Sequence, residues 1–312
     1  MTHHAAGPRR VLPADFEGRI FDVHGEKGAT WIRNLPGVLG ALGDRWAIDI
    51  GDPLQPLSYN FVATAQRGGQ RLVLKLGVPG PDLAREIQAL QVLAGEGVVR
   101  LLAADVALGA MLLERLSPGT PLKELGDDEQ ATHIAGALMR KMPRRTPPAG
   151  AFPTVADWAA GLQRLRNRFE GKTGPIPADL VEAAEQVYAE LLPLSGPAVL
   201  LHGDFHHANI LRSECRGWVA IDPQGVIGEP EYEVGVLLHN PFPEVATWSD
   251  LEGVTARRLD QLSEEAGFDR QRIVKWGMAQ AVLSACWDLE DHGKVETGHL
   301  VCAQALLSLM RA

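Results

Sequence analysis

Residues 199–225, VLLHGDFHHANILRSECRGWVAIDPQG, decide how the chain is read. Three apolar residues run into a turn crowded with His202, Asp204, His206, His207 and Asn209, and apolar character returns at Ile210 and Leu211. A second short apolar run, residues 218–221, ends on Asp222, with Pro223 and Gly225 behind it. The pattern is that of a strand, a polar loop, a hairpin and a second carboxylate. Asn209 lies five positions after Asp204, and Asp222 thirteen after Asn209. A hairpin brings all three side chains to one mouth.

Two carboxylates and a carboxamide so placed suit phosphoryl transfer, where charge on the moving group is neutralised while a hydroxyl is aimed in line at it. Mg²⁺ takes one or two hard protein oxygens and completes its octahedron with phosphate and water. Asn209 and Asp222 offer such oxygens, which leaves Asp204 to accept the proton of an attacking hydroxyl. A zinc hydrolase is the competing reading of His202, Asp204, His206 and His207, because imidazole and carboxylate are ordinary zinc ligands. It leaves Asn209 and Asp222 without a purpose.

The loop, beginning His202-Gly203-Asp204, resembles the catalytic loop of the aminoglycoside phosphotransferase family, and its five-and-thirteen spacing matches that of protein kinases. Together with IDPQGVIGEPEYE (residues 221–233) and the segment 276–291, it is most similar to the streptomycin 6-phosphotransferase and hydroxyurea phosphotransferase branch, from about Leu35 onward. The resemblance implies Asp204 as base, Asn209 and Asp222 as Mg²⁺ ligands, and His202 and His206 as supports. It implies ATP, or GTP, as donor. The fold implied is α+β, protein-kinase-like and bilobal, with a small antiparallel five-stranded N-lobe carrying a helix and a larger, mainly helical C-lobe. The division expected is 1–116 for the nucleotide-binding lobe, with an N-terminal helical extension, and 117–312 for the catalytic and acceptor lobe.

Composition sets bounds on this reading. The 312 residues suffice for two lobes with a substantial core, and 46% hydrophobic with 22% charged residues is ordinary globular material. A net charge of −9 disfavours nucleic-acid binding and suits a small cationic substrate. Three cysteines, Cys215, Cys286 and Cys302, have no paired spacing, so the expectation is a reducing, cytoplasmic setting. No apolar run is long enough for a membrane span. Oligomeric state has no signature.

In the first half, residues up to about 12 read as loosely ordered, followed by an amphipathic start at Ala14 and a helix over 30–42. Strands are predicted at 45–50, 58–66 and 71–76, with Arg67-Gly68-Gly69-Gln70 as a hairpin turn. Two more are predicted at 99–107 and 110–116, and a helix over 82–93. Lys75 stands among apolar neighbours, where a lone ammonium is costly, and Glu86 is its available partner. By the resemblance this pair positions the nucleotide phosphates, Ser58 and Asn60 add donors, and the backbone from Glu114 to Leu116 meets the base.

Beyond Pro121 the pattern is helical, over 127–142, 154–169, 177–192, 251–266, 271–291 and 295–310. Thr154 with Asp157 reads as a capping box, and Asp157 is also a candidate acceptor ligand. Trp287, Glu290 and Asp291 share a helix face and form a candidate seat for an ammonium or guanidinium group. Two departures from the family pattern stand out. Glu233 occupies a place where relatives use Asp to brace the catalytic loop, and Gln224 one where they often carry Lys. A kinase for an endogenous metabolite, or a nucleotide-binding protein of this fold with little catalysis, uses the same residues and remains an alternative.

Overall fold

The computed structural model describes residues 12–194 and 197–311; the expectation for residues 1–11 lies outside them. The chain divides into two compact units, Met1–Gln91 with Val99–Arg115, and Val92–Val98 with Leu116–Ala312.

The first unit opens with helix α1, Ala14–Trp46, much longer than the predicted 30–42. Asp15 and Glu17 favour its start, where the helix dipole is positive. The backbone breaks helical geometry only at Gly25. Phe16, Ile20, Trp31, Leu35 and Leu42 form its buried face. The strand predicted to begin at Arg45 is delayed because α1 continues through Trp46; it ends at Ala47 (φ 50°), where the Ile48 N–H bonds the Gly43 carbonyl at 3.0 Å. Strands β1 (Asp49–Pro53), β2 (Phe61–Arg67) and β3 (Gln70–Leu76) follow, then helix α2 (Pro81–Leu93), β4 (Leu101–Asp105) and β5 (Ala110–Glu114). They form a five-stranded antiparallel sheet in the order β1-β2-β3-β5-β4. Gly68 and Gly69, both at positive φ, make the tight β2–β3 turn, as two central residues of that hairpin class require. Leu72, Leu74 and Leu76 of β3 are fully buried.

The second unit holds β6 (Pro118–Pro121), α3 (Asp128–Lys141), α4 (Val155–Arg168), α5 (Ala178–Leu191), β7 (Val199–Leu201), β8 (Ile210–Ser213), β9 (Gly217–Ala220) and β10 (Val226–Gly228). Helices α6 (Val234–Leu238), α7 (Leu251–Ala266), α8 (Arg270–His292) and α9 (Thr297–Arg311) complete it. All six predicted helices of this half are present within two residues of their expected ends. Strand β6, which lies outside the predicted strands, pairs with β8. Helix α8 is buried on nearly every side from Ile273 to Leu289, the mark of a core helix, and packs on α4, α5, α6, α7 and α9. A Cβ at Gly235 of α6 would stand 2.8 Å from the Gln280 Cβ, so glycine permits the α6–α8 approach. None of the described helices is long and apolar enough to cross a membrane.

Candidate active site

The chemistry-bearing loop is held at both ends by sheet. Strand β7, buried throughout, pairs with β10 and delivers the chain into His202. Strands β8 and β9 form the predicted hairpin, with Ile210 opposite Ala220. That register sets Asn209 beside Ile221, whose N–H donates to the Asn209 carbonyl at 2.8 Å, and so one residue from Asp222. Asp222 adopts φ 58°, a left-handed conformation that Asp reaches more readily than most residues.

Within the loop, Asn209 Nδ2 donates to both the carbonyl (3.0 Å) and the Oδ2 (2.9 Å) of Asp204. Its amide nitrogen is thereby committed to Asp204, and Oδ1 is the end that could hold a metal. His206 Nε2 lies 3.4 Å from Asp204 Oδ1, and its Nδ1 accepts the Ala208 N–H at 3.2 Å. Burial works against the Asp204 charge, but His206, then His202 and Asn209, outweigh it and hold the carboxyl below its ordinary range. The group is an ionised acceptor, as a general base must be.

His202 joins the two halves of the site. Its ring is fully buried, and burial pushes its pKa down to about 4, so it is neutral. Nε2–H donates to the Ile221 carbonyl at 2.8 Å, while Nδ1 accepts the Asp204 N–H at 3.2 Å. The His202 carbonyl accepts from Gln224 N (2.8 Å) and Gly225 N (3.1 Å). One residue thus ties the Asp204 loop to the Asp222 loop. The imidazoles of His202 and His206 serve the loop itself, and among the described residues no group of three His, Cys, Asp or Glu side chains is placed to hold a metal, against the zinc reading.

The Glu233 brace is made despite its extra methylene. Its carboxylate accepts the His202 N–H at 2.6 Å and the Gly203 N–H at 2.9 Å. Burial, with a further push from the Asp204 charge, raises its pKa to about 7 even though the two amide bonds pull downward. Beside it Trp158, a residue the sequence reading missed, underlies Gly203: a Cβ there would sit 2.8 Å from Trp158 Cη2. Gly203 is at φ 82°, so both its conformation and its space exclude a side chain. Trp158 follows directly on Asp157 in the first turn of α4, which is the sequence signal that pointed here.

The remaining candidates in this unit have other partners. Asp157 Oδ2 accepts from the Thr154 N–H and hydroxyl, both at 2.7 Å, completing the capping box. Glu290 does not stand open to a ligand as expected: Arg164 Nε and Nη2 donate to its two oxygens at 2.8 and 3.0 Å. Trp287 is half-buried and meets Trp158 edge-on, with ring centroids 5.4 Å apart. Asp291 is exposed.

In the first unit, Lys75 and Glu86 form the expected pair, with Nζ 2.7 and 2.9 Å from the carboxylate oxygens. Their side chains are only 5% and 12% exposed, so neither charge is met mainly by water. The Asn60 carboxamide lies over Gly77, whose absent Cβ would stand 2.3 Å from its Oδ1. Ser58 is exposed, and its carbonyl accepts from Arg19 Nε at 3.4 Å. Glu114 donates its N–H to the Arg100 carbonyl (3.1 Å) and accepts the Arg100 N–H on Oε1 (2.9 Å). That N–H is therefore engaged within the sheet. Leu116, assigned to the second unit by one residue, is buried.

Residues 45–292 match the family model for aminoglycoside/hydroxyurea antibiotic resistance kinases. The chain belongs to that family. Among its relatives, the streptomycin 6-kinase of Streptomyces glaucescens is 31% identical over 297 residues, 95% of this chain and 96% of the relative. The hydroxyurea phosphotransferase of Kitasatospora aureofaciens is 32% identical over 308 residues, 96% of this chain and 86% of the relative. In fold, the chain is similar to the choline kinase LicA from Streptococcus pneumoniae (TM-score 0.58, 12% identity, covering 88% of this chain and 97% of that one). The architecture is therefore protein-kinase-like. As a member of these antibiotic resistance kinases, the protein is a small-molecule phosphotransferase.

Proposed function

We propose that the protein transfers the γ-phosphoryl group of ATP to a hydroxyl of a small cationic acceptor, an aminoglycoside of the streptomycin type. The observation that carries this reading is the ionised Asp204 carboxylate, oriented by Asn209 Nδ2 on one side and His206 Nε2 on the other. In that role Asp204 receives the acceptor hydroxyl's proton and aims its oxygen; its Oδ1 and Oδ2 are each already fixed by a neighbour, so the base loses little freedom when substrate arrives.

Asn209 Oδ1 and the Asp222 carboxylate are the hard oxygens that would hold Mg²⁺, and the hairpin register that sets them one residue apart suits a shared ion. When bound, the ion neutralises charge on the transferring phosphate. Lys75 contributes a cation to the nucleotide phosphates, and Glu86 keeps it extended and charged in an otherwise apolar setting. The first unit is then the nucleotide-binding lobe and the second the catalytic lobe, with Glu114 to Leu116 meeting the base and Ser58 and Asn60 near the phosphates.

The decisive assay is ATP-dependent phosphorylation of streptomycin by wild type and Asp204→Asn. Asparagine preserves the shape but cannot take the proton, so kcat should fall about 10²- to 10⁴-fold with ATP affinity retained. Equal turnover in the variant refutes the assignment of the base. Wild-type binding of Mg-ATP with no transfer to any hydroxylated amine would instead favour a nucleotide-binding protein with little catalysis.

A further inference from the structure

Helix α4 and helix α8 carry a constellation that the phosphoryl-transfer residues do not use. Trp158 and Trp287, both half-buried, meet edge-on at 5.4 Å. Further along each helix, Arg164 grips Glu290 through two parallel N–H···O bonds. The Cβ position of Gly161 lies 3.4 Å from Arg164 Nη2 and 3.5 Å from Trp287 Nε1, so the guanidinium lies close by that indole. This is the arrangement the sequence of α8 offers to a guanidinium group, an aromatic ring beside a carboxylate, and a side chain of the protein itself occupies it.

Two observations tie this seat to the reaction centre. Trp158 also lies against Gly203, and Asp204 is the next residue, its Cα about 3.8 Å further along the chain. The start of α4 is also stitched to the sheet that launches the catalytic loop: Ile227 N donates to the Pro153 carbonyl at 2.8 Å, and Thr154 bridges Ile227 on β10. The Arg164–Glu290 pair is forked but faces water, its side chains 52% and 30% exposed, so a solute can reach Glu290. A ligand guanidinium that reproduces the fork replaces the bonds of Arg164 one for one.

We propose that Glu290 and Trp287 form the seat for a guanidinium group of the acceptor, that Arg164 occupies this seat in the absence of acceptor, and that binding exchanges one guanidinium for the other. Trp158 is the positioning residue that fixes the seat's distance from Asp204. This inference rests on the cationic-acceptor reading above and makes it specific: planar, fork-shaped cations are favoured over simple ammonium groups, which cannot bond both carboxylate oxygens in one plane.

The test is equilibrium binding of streptomycin, which carries guanidinium groups, and of kanamycin, which carries ammonium groups only, followed by indole fluorescence and calorimetry. Arg164→Gln removes the competitor and should tighten streptomycin binding about two- to fivefold, with a smaller gain for kanamycin. Glu290→Gln should weaken streptomycin about tenfold or more, and Trp287→Phe should weaken it less. Arg164→Lys, which keeps a charge at the site and spares the fold, should fall between wild type and Arg164→Gln. Mg-ATP affinity should stay within twofold throughout. Streptomycin binding that is unchanged or weaker in Arg164→Gln, or a gain equal for both compounds, overturns the exchange. Since the readout is binding, it is separate from turnover. Failure of wild type to phosphorylate streptomycin refutes the proposed function, whereas normal Asp204-dependent turnover with unresponsive Arg164 and Glu290 variants refutes the seat alone.

Discussion

Replacing Glu233 with glutamine should make the protein's stability less dependent on pH, in a direction the structure fixes. The carboxyl's pKa stands at about 7 against an ordinary 4.5, so the folded chain holds this proton more tightly than the unfolded chain. Stability attributable to the group is therefore full below pH 4.5 and is lost as pH rises toward 7, a total of about 3 kcal/mol. Between pH 5.5 and pH 8 the share lost is about 2 kcal/mol. Glutamine carries no such titration, but it presents an NH₂ where an acceptor is needed, leaving one of the His202 and Gly203 amides without a bond at about 1–3 kcal/mol. The variant should thus be the less stable protein at pH 5.5, with the gap shrinking by about 2 kcal/mol at pH 8. Urea unfolding followed by tryptophan fluorescence at the two pH values, at constant ionic strength, measures it. A gap that stays constant, or one that widens toward alkaline pH, refutes the reasoning.

Other perturbations have comparably definite outcomes. Glu86→Ala leaves the Lys75 ammonium buried without its carboxylate, and should cost about 3–5 kcal/mol in chemical denaturation while raising the KM for ATP. Gly203→Ala forces a Cβ toward Trp158 and an unfavourable positive φ, so a loss of more than about 1 kcal/mol and a reduced kcat are expected; unchanged thermal stability would show that the wedge is soft. Asp128 sits against Arg257 and Arg258, and although burial opposes its charge these guanidiniums hold its pKa below the ordinary 3.8. Its contribution is present above that value and lost as pH falls through the lower folded pKa. Asp128→Asn should therefore lower stability at neutral pH, and the difference from wild type should shrink in strong acid.

Much of the fold was legible because its signals are local. The two-glycine turn and the Thr154–Asp157 cap each act over a few residues, and each reappears in the structure. The Lys75–Glu86 pair was legible for a different reason: a buried ammonium in a strand demands a carboxylate, and only geometry had to supply it. What the sequence could not disclose depends on distant packing. Glu233 reaches the loop amides because a short 3₁₀ turn, Pro230–Glu233, places it there, and no count of methylenes foretells that placement. Glu290 was read as open because its partner lies 126 positions away on another helix. Helix α1 was read only over 30–42, apart from the amphipathic start at Ala14, whereas burial of Phe16, Ile20, Trp31, Leu35 and Leu42 on one face carries a single helix from Ala14 to Trp46.

The stapling of both polar loops by one uncharged imidazole has a consequence for how such an enzyme can change over generations. Substitutions that displace the turn carrying Asp222 also displace Asp204, so the two carboxylates drift together or not at all. Helix α8 is tied to the turn that carries Glu233 through Gln280 and Trp276, but Trp287 and Glu290, the side chains proposed to meet the acceptor, lie beyond those contacts near its C-terminal end. On the proposed reading, a new acceptor can be accommodated by altering the exposed end of α8 and the later turns of α4 while the loop around Asp204 is inherited intact.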